Sequence, residues 1–181
     1  MSEPVNKFLW NIHTALTKNI KPKTIEDQRF LTLALCGEVG ELANLAKKQW
    51  RGDNDPEFDS KFRDELGDIY AYLILFGMAF DFPDLGKPSF EESDHDLYYQ
   101  VMYLVKQTGH IAECIILDWD DNPTPDEDSI QYYYETSLIA LWEVAFHLGI
   151  DLDKVLHEEI VPKIQARWGH LVNDQIQSDP C

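Results

Sequence analysis

The sequence predicts an all-α protein, a bundle of helices, on three observations. Apolar residues recur at spacings of three and four almost throughout, turn-forming residues are confined to a few short stretches, and two helical hairpins align with each other. The turn-forming stretches are KPKT at 21–24, RGDNDPEFDS at 51–60, DFPDLGKPS at 81–89 and DWDDNPTPDED at 118–128. Between them the periodicity outlines helices over 4–19, 25–49, 58–80, 94–117, 128–148 and 152–169. Thr24, ahead of IEDQ, and Ser129, after an acidic loop, are the expected caps of the second and fifth helices. At 181 residues and 44% hydrophobic, the chain is read as a single domain, 1–181, with a sizeable core.

The duplication comes from laying one half on the other. LCGEVGELANLAKKQW (35–50) aligns with LVKQTGHIAECIILDW (104–119), with Leu, Gly, Ala and Trp in register, and Trp50 meets Trp119. DELGDIYAYLILFGMAFDF (64–82) then follows YETSLIALWEVAFHLGIDL (134–152) at nearly the same offset. The reading is a tandem pseudo-twofold repeat of helical hairpins, repeat 1 over about 25–85 and a degenerate repeat 2 over about 94–170. Such a chain carries its own dimer partner, so a monomeric pseudo-dimer or a homodimer is expected.

Charge narrows the partners. With 33 acidic against 15 basic residues, a formal charge of -18 repels polynucleotides and anionic membrane surfaces, so neither is an expected partner. A polyanionic ligand has to be received locally, through cations or a small group of Lys and Arg. Cys36, Cys114 and Cys181 form no paired framework and match no zinc spacing, which points to a reducing, cytoplasmic setting. The N-terminal segment lacks the pattern of a signal peptide, and no apolar run is long enough to span a bilayer.

Two pairs of acids stand out. Glu38 and Glu41, in GEVGELANLA, are three residues apart and so share one helix face; Glu65 and Asp68, in FRDELGDIYAYL, repeat the arrangement on the next helix. A hairpin brings the pairs together, and four converging carboxylates need protons or cations to offset their repulsion. Oxygen-only ligands favour a hard divalent ion, Mg²⁺ or Mn²⁺, over zinc. In repeat 2 the matching positions hold Gln107, His110, Glu135 and Leu138, so three of the four acids are missing there. A di-iron bundle needs a Glu-x-x-His motif on each of two helices, and the chain does not supply two: Glu143 and His147 are one residue too far apart, and His110 precedes Glu113. The DWDDNPTPDED loop lacks the order of acids and glycine that a calcium-binding EF-hand requires.

GEVGELANL followed by DELGDIYAYL resembles the paired acidic motifs of the all-α nucleoside triphosphate pyrophosphohydrolases, the MazG-like and dimeric dUTPase-like superfamily. The resemblance covers residues 30–85 and extends weakly into the second half. It implies that family's type of helical bundle and a Mg²⁺-dependent hydrolysis between the α and β phosphates of a nucleoside triphosphate, giving the monophosphate and pyrophosphate. The family's metal ligands fall on Glu38, Glu41, Glu65 and Asp68, with Glu38 or Glu41 taking a proton from the attacking water. A non-catalytic nucleotide- or metal-binding protein on the same scaffold is the alternative.

A triphosphate needs cationic donors beyond a metal, and the candidates are Lys163, Arg167, Lys48 and Lys61. A base needs a flat apolar wall. Trp10, His13, Phe30, Trp50 and Tyr72 are candidates for it, with His110, which replaces an acid of the motif, as a further base contact.

Overall fold

The computed structural model describes residues 3–83, 87–88, 94–117 and 127–178, which form helices joined by turns with no strand among them. The helices are α1 (Glu3–Leu16), α2 (Ile25–Trp50), α3 (Phe58–Ala79), α4 (Leu97–Leu117), α5 (Glu127–His147), α6 (Leu152–Val155) and α7 (Val161–Ser178). A π-helical turn, Leu156–Ile160, joins α6 to α7 without a break.

The four long central helices form two hairpins, α2 with α3 and α4 with α5. α2 also packs along α4, and α3 meets α5. Their apolar faces close on one core whose largest fully buried side chains include Tyr70, Phe62 and Phe76 of α3, Leu35 and Leu42 of α2, Leu104 and Ile111 of α4, and Leu141 of α5. α3 is the central element, apolar nearly all round from Leu66 to Ala79 and buried accordingly. The first and last helices, α1 and α7, pack on each other, and α1 also lies on α3. That places the two ends of the described chain beside the α2–α3 hairpin.

The expected helices correspond to observed ones, with shifted ends. The first stops at Leu16, because a turn closed by Thr17 and Ile20 follows, and the last runs on to Ser178 rather than 169. Neither expected cap acts as one. Thr24 has the extended backbone of an N-cap, yet its hydroxyl donates back to the Lys21 carbonyl at 2.7 Å. Asp27 instead accepts the Lys23 N–H, at 2.8 Å. Ser129 lies inside α5, which begins two residues earlier. Trp119 and most of the 118–128 loop lie outside the described residues. No described helix is long and apolar enough to cross a membrane.

Candidate active site

The hairpin of α2 and α3 sets the acids face to face. Glu38, Glu41 and Glu65 each offer a carboxylate oxygen, and the three oxygens lie within 4.8 Å of one another. Oxygens on one octahedral ion with bonds of about 2.1 Å stand about 3 Å apart when adjacent and about 4.2 Å when opposite, so carboxylates gathered this closely need only small side-chain movements to share an ion. All the donors are hard carboxylate oxygens, so the residues present fit a hard divalent cation. Asp68, one turn beyond Glu65 on α3, is half-buried, and its Oδ2 lies 3.6 Å from Nζ of Lys163 on α7.

Burial and mutual repulsion show in the acid strengths. The Glu65 carboxyl is pushed up to about 7, first by desolvation and then by the charges of Glu41 and Glu38. Glu38 is raised by burial, then by Asp68 and Glu41. Asp68 is raised by its burial although Lys163 acts in the opposite direction. Burial and the charges of Glu38 and Asp68 also raise the Tyr72 phenol. A cluster that resists ionisation in this way is one that a cation would relieve.

Glu38 and Asp68 open into a cavity of about 300 Å³. Its apolar side is built by α1 and α3, through Ile12, Leu16, Ala71 and Leu75, and Phe30, Tyr72 and Trp168 add aromatic rings to its lining. Lys163 and Arg167, a turn apart on α7, supply two cations to the same space, and Arg167 lies over the Trp168 ring at 5.0 Å. His13 faces the cavity from α1 while its Nε2 is held 2.6 Å from Asp27 Oδ1. The volume and the mixed lining suit a small organic anion with a flat ring.

Of the four candidate phosphate donors, Lys163 and Arg167 come to this cavity. Lys61 is held by Asp55 at 2.9 Å and Glu57 at 3.0 Å, and Lys48 lines a separate hollow under the α2–α3 loop with Asp53 and Asp55. Of the candidate base contacts, His13, Phe30 and Tyr72 line the cavity. Trp10 packs against the core beside His13, with ring centres 5.4 Å apart, and is not among the lining residues. Trp50 is 65% exposed at the end of α2 and stacks on Tyr98. His110 stacks on Tyr133 of α5 and pairs with Glu113 at 3.2 Å. Trp168 and Ile164 were not singled out in the sequence. They form a row beside Lys163 and Arg167 at the same four-residue spacing, which is the signal that could have found them.

The positions in the second hairpin that match the four acids hold no such cluster. Gln107 is buried with its side-chain oxygen unpartnered, Leu138 is buried in the core, and Glu135 accepts from Gln131 at 2.8 Å.

An all-helical bundle, with acids of two helices of one hairpin converging beside a cationic, aromatic cavity, is the arrangement expected from the motif resemblance to the all-α nucleoside triphosphate pyrophosphohydrolases. Comparison with characterised proteins finds two similar chains. The chain is 34% identical over 80 residues to dCTP pyrophosphatase 1 of Bos taurus, a match covering 40% of this chain and 46% of that protein. It is 32% identical over 79 residues to dCTP pyrophosphatase 1 of Mus musculus, covering 40% and 45%. The match thus spans somewhat under half the length of these relatives. No family model and no solved structure matches the chain.

Proposed function

We propose that the protein is a nucleoside triphosphate pyrophosphohydrolase that uses Mg²⁺, or Mn²⁺, held by Glu38, Glu41, Glu65 and Asp68. The observation that carries this reading is the convergence of Glu38, Glu41 and Glu65 beside a cavity that Glu38 and Asp68 line together with Lys163 and Arg167. Bound divalent cations supply charge neutralisation at the phosphates and acidify a coordinated water.

The protein's own groups account for the rest. Lys163 and Arg167 bind the polyphosphate tail against the chain's overall negative field, and Arg167 adds a planar, two-pronged donor. Phe30, Tyr72 and Trp168 receive the base and sugar on an apolar surface, and His13 presents a polar edge fixed in orientation by Asp27. Glu38 or Glu41 takes the proton of the attacking water. In the same reading the second hairpin is a diverged copy of the first that serves as scaffold, and the protein works in the reducing cytoplasm.

The test is pyrophosphate release from a panel of nucleoside triphosphates, starting with dCTP, the substrate in both relatives' names. Cation-dependent release that Glu38→Gln and Asp68→Asn abolish supports the enzyme. Cation and nucleotide binding without turnover of any member of the panel would leave a binding protein.

A further inference from the structure

The segment from α6 to the start of α7 grips α3 along the stretch that carries Glu65 and Asp68. Tyr70 donates its hydroxyl to Asp153 Oδ1 at 3.0 Å, and Arg63 Nη1 lies 3.3 Å from Glu159 Oε1. Lys163 Nζ lies 3.6 Å from Asp68 and 4.0 Å from Asp64. Between these polar ties sits Gly67, buried, two residues after Glu65 and one before Asp68.

The lack of a side chain at Gly67 is required by packing. A β-carbon there would lie 2.7 Å from Cδ1 of Ile160, 2.9 Å from Cγ1 of Val155, and closer still to Cγ1 of Ile160. Ile160 is fully buried and is the last residue of the π-helical turn, Leu156–Ile160. Single π-helical turns carry one residue more than an α-helical turn and recur at functional sites. That extra residue sets the phase of everything after it, because one residue is about 100° of rotation on a helix of 3.6 residues per turn. Lys163 follows Ile160 by three residues and Arg167 by seven, so all three share one helix face. Seating Ile160 in the Gly67 notch therefore turns Lys163 and Arg167 toward the carboxylates.

We infer that Gly67 and Ile160 are positioning residues: their contact fixes the phase of α7 against α3 and so holds Asp68, Glu65 and Lys163 in the arrangement that binds the cation. The inference rests on the cation-dependent reading proposed above. Neither residue touches the ion or the nucleotide.

The experiment compares four full-length proteins, wild type, Gly67→Ala, Ile160→Ala and the double variant, in Mn²⁺ titration calorimetry and in steady-state hydrolysis, with circular dichroism confirming helix content. Gly67→Ala is expected to stay helical and lose Mn²⁺ affinity by about tenfold or more, the scale of a disturbed support shell around metal ligands. Ile160→Ala, which removes both Ile160 contacts and leaves only the Val155 methyl at 2.9 Å to give way, is expected to restore the Gly67→Ala protein to within about threefold of wild type, as coupled neighbours do. A purely structural contact would lower the melting temperature and leave Mn²⁺ affinity unchanged. Unchanged affinity in folded Gly67→Ala, or a loss that Ile160→Ala does not restore, overturns the inference. Should Gly67→Ala fail to fold, deletion of the exposed Glu158 converts the π-helical turn to an α-helical one and rotates α7; unchanged Mn²⁺ affinity in that variant overturns the inference equally. Mn²⁺ binding without hydrolysis of any nucleotide would sink the enzymatic reading and leave the positioning pair standing. Hydrolysis undisturbed by Gly67→Ala would do the reverse.

Discussion

His13 Nε2 lies 2.6 Å from Asp27 Oδ1, and neither side chain meets appreciable solvent. The other oxygen of Asp27 accepts the backbone N–H of Lys23, a residue held at a positive φ of 58°. One carboxylate therefore ties the last turn of α1, the connection after it and the first turn of α2, and it orients a ring that lines the cavity. Removing the acceptor of two buried or part-buried hydrogen bonds leaves both donors unpaired at about 1–3 kcal/mol each, so Asp27→Ala is expected to cost about 3 kcal/mol or more. At about 3 °C per kcal/mol for a chain of this length, the melting temperature falls by about 10 °C or more. A loss under 2 °C would show that the pair does not hold these elements together.

Glu65→Gln should separate stability from function. The wild-type carboxyl is strained by desolvation and by Glu41 and Glu38, so a neutral isostere is expected to raise the melting temperature of the cation-free protein at pH 8. The same change removes a cation ligand and should abolish hydrolysis. Calorimetric scans and pyrophosphate assays on one preparation check both halves, and a destabilised Glu65→Gln would contradict the repulsion argument.

The pH dependence follows from the same group. With a folded value of about 7 against an ordinary value of 4.5, Glu65 holds its proton to higher pH in the native state than in the unfolded chain. Native protein then binds more protons across that window, so its stability falls as pH rises from about 4.5 to 7. Because the group is partly solvated, the effect is discounted to about 1 kcal/mol, or about 3 °C. Mg²⁺ competes with that proton, and its stabilisation of the protein should be larger at pH 8 than at pH 5.5. Equal shifts at the two pH values would count against cation binding at Glu65.

Lys163→Ala and Lys61→Ala make a matched contrast. Lys163 reaches Asp68 and lines the cavity, whereas Lys61 is occupied by Asp55 and Glu57. Losing a charge-assisted contact to phosphate is expected to raise KM about tenfold in Lys163→Ala. Lys61→Ala should stay within about twofold, as exposed ion pairs contribute little. Steady-state kinetics decide, and a reversed order would relocate the phosphate path to the α2–α3 loop.

Much of this was legible in the sequence because it depends on period alone. The spacing of apolar residues gave the helices, and the three-residue spacing within each acidic pair gave a shared face, which an antiparallel hairpin turns into a cluster. What was not legible depends on the phase between helices. Lys48 stands seven residues past Glu41, about two turns or 10 Å along the axis, and the acids of the following loop lie nearer to it than the cluster does. Trp10 reads as apolar periodicity, which says that it packs inward and not on which side of α1 the cavity forms. Trp168 shares a four-residue row with Ile164, but the side on which that row faces follows from a π-helical turn, a one-residue departure that no regular spacing rule anticipates.

The contact between α1 and α7 has a bearing on synthesis. A chain leaving the ribosome has all four acids and the partners of its first hairpin while the later half is still unmade. The wall that brings Lys163, Arg167 and Trp168 is made after both hairpins, by residues separated from α1 by most of the sequence. Such distant closures form late and slowly. The nascent protein therefore passes through a stage in which Glu38, Glu41, Glu65 and Asp68 are all present but the segment that grips α3 and walls the cavity is not, so the site takes its shape only when α7 docks.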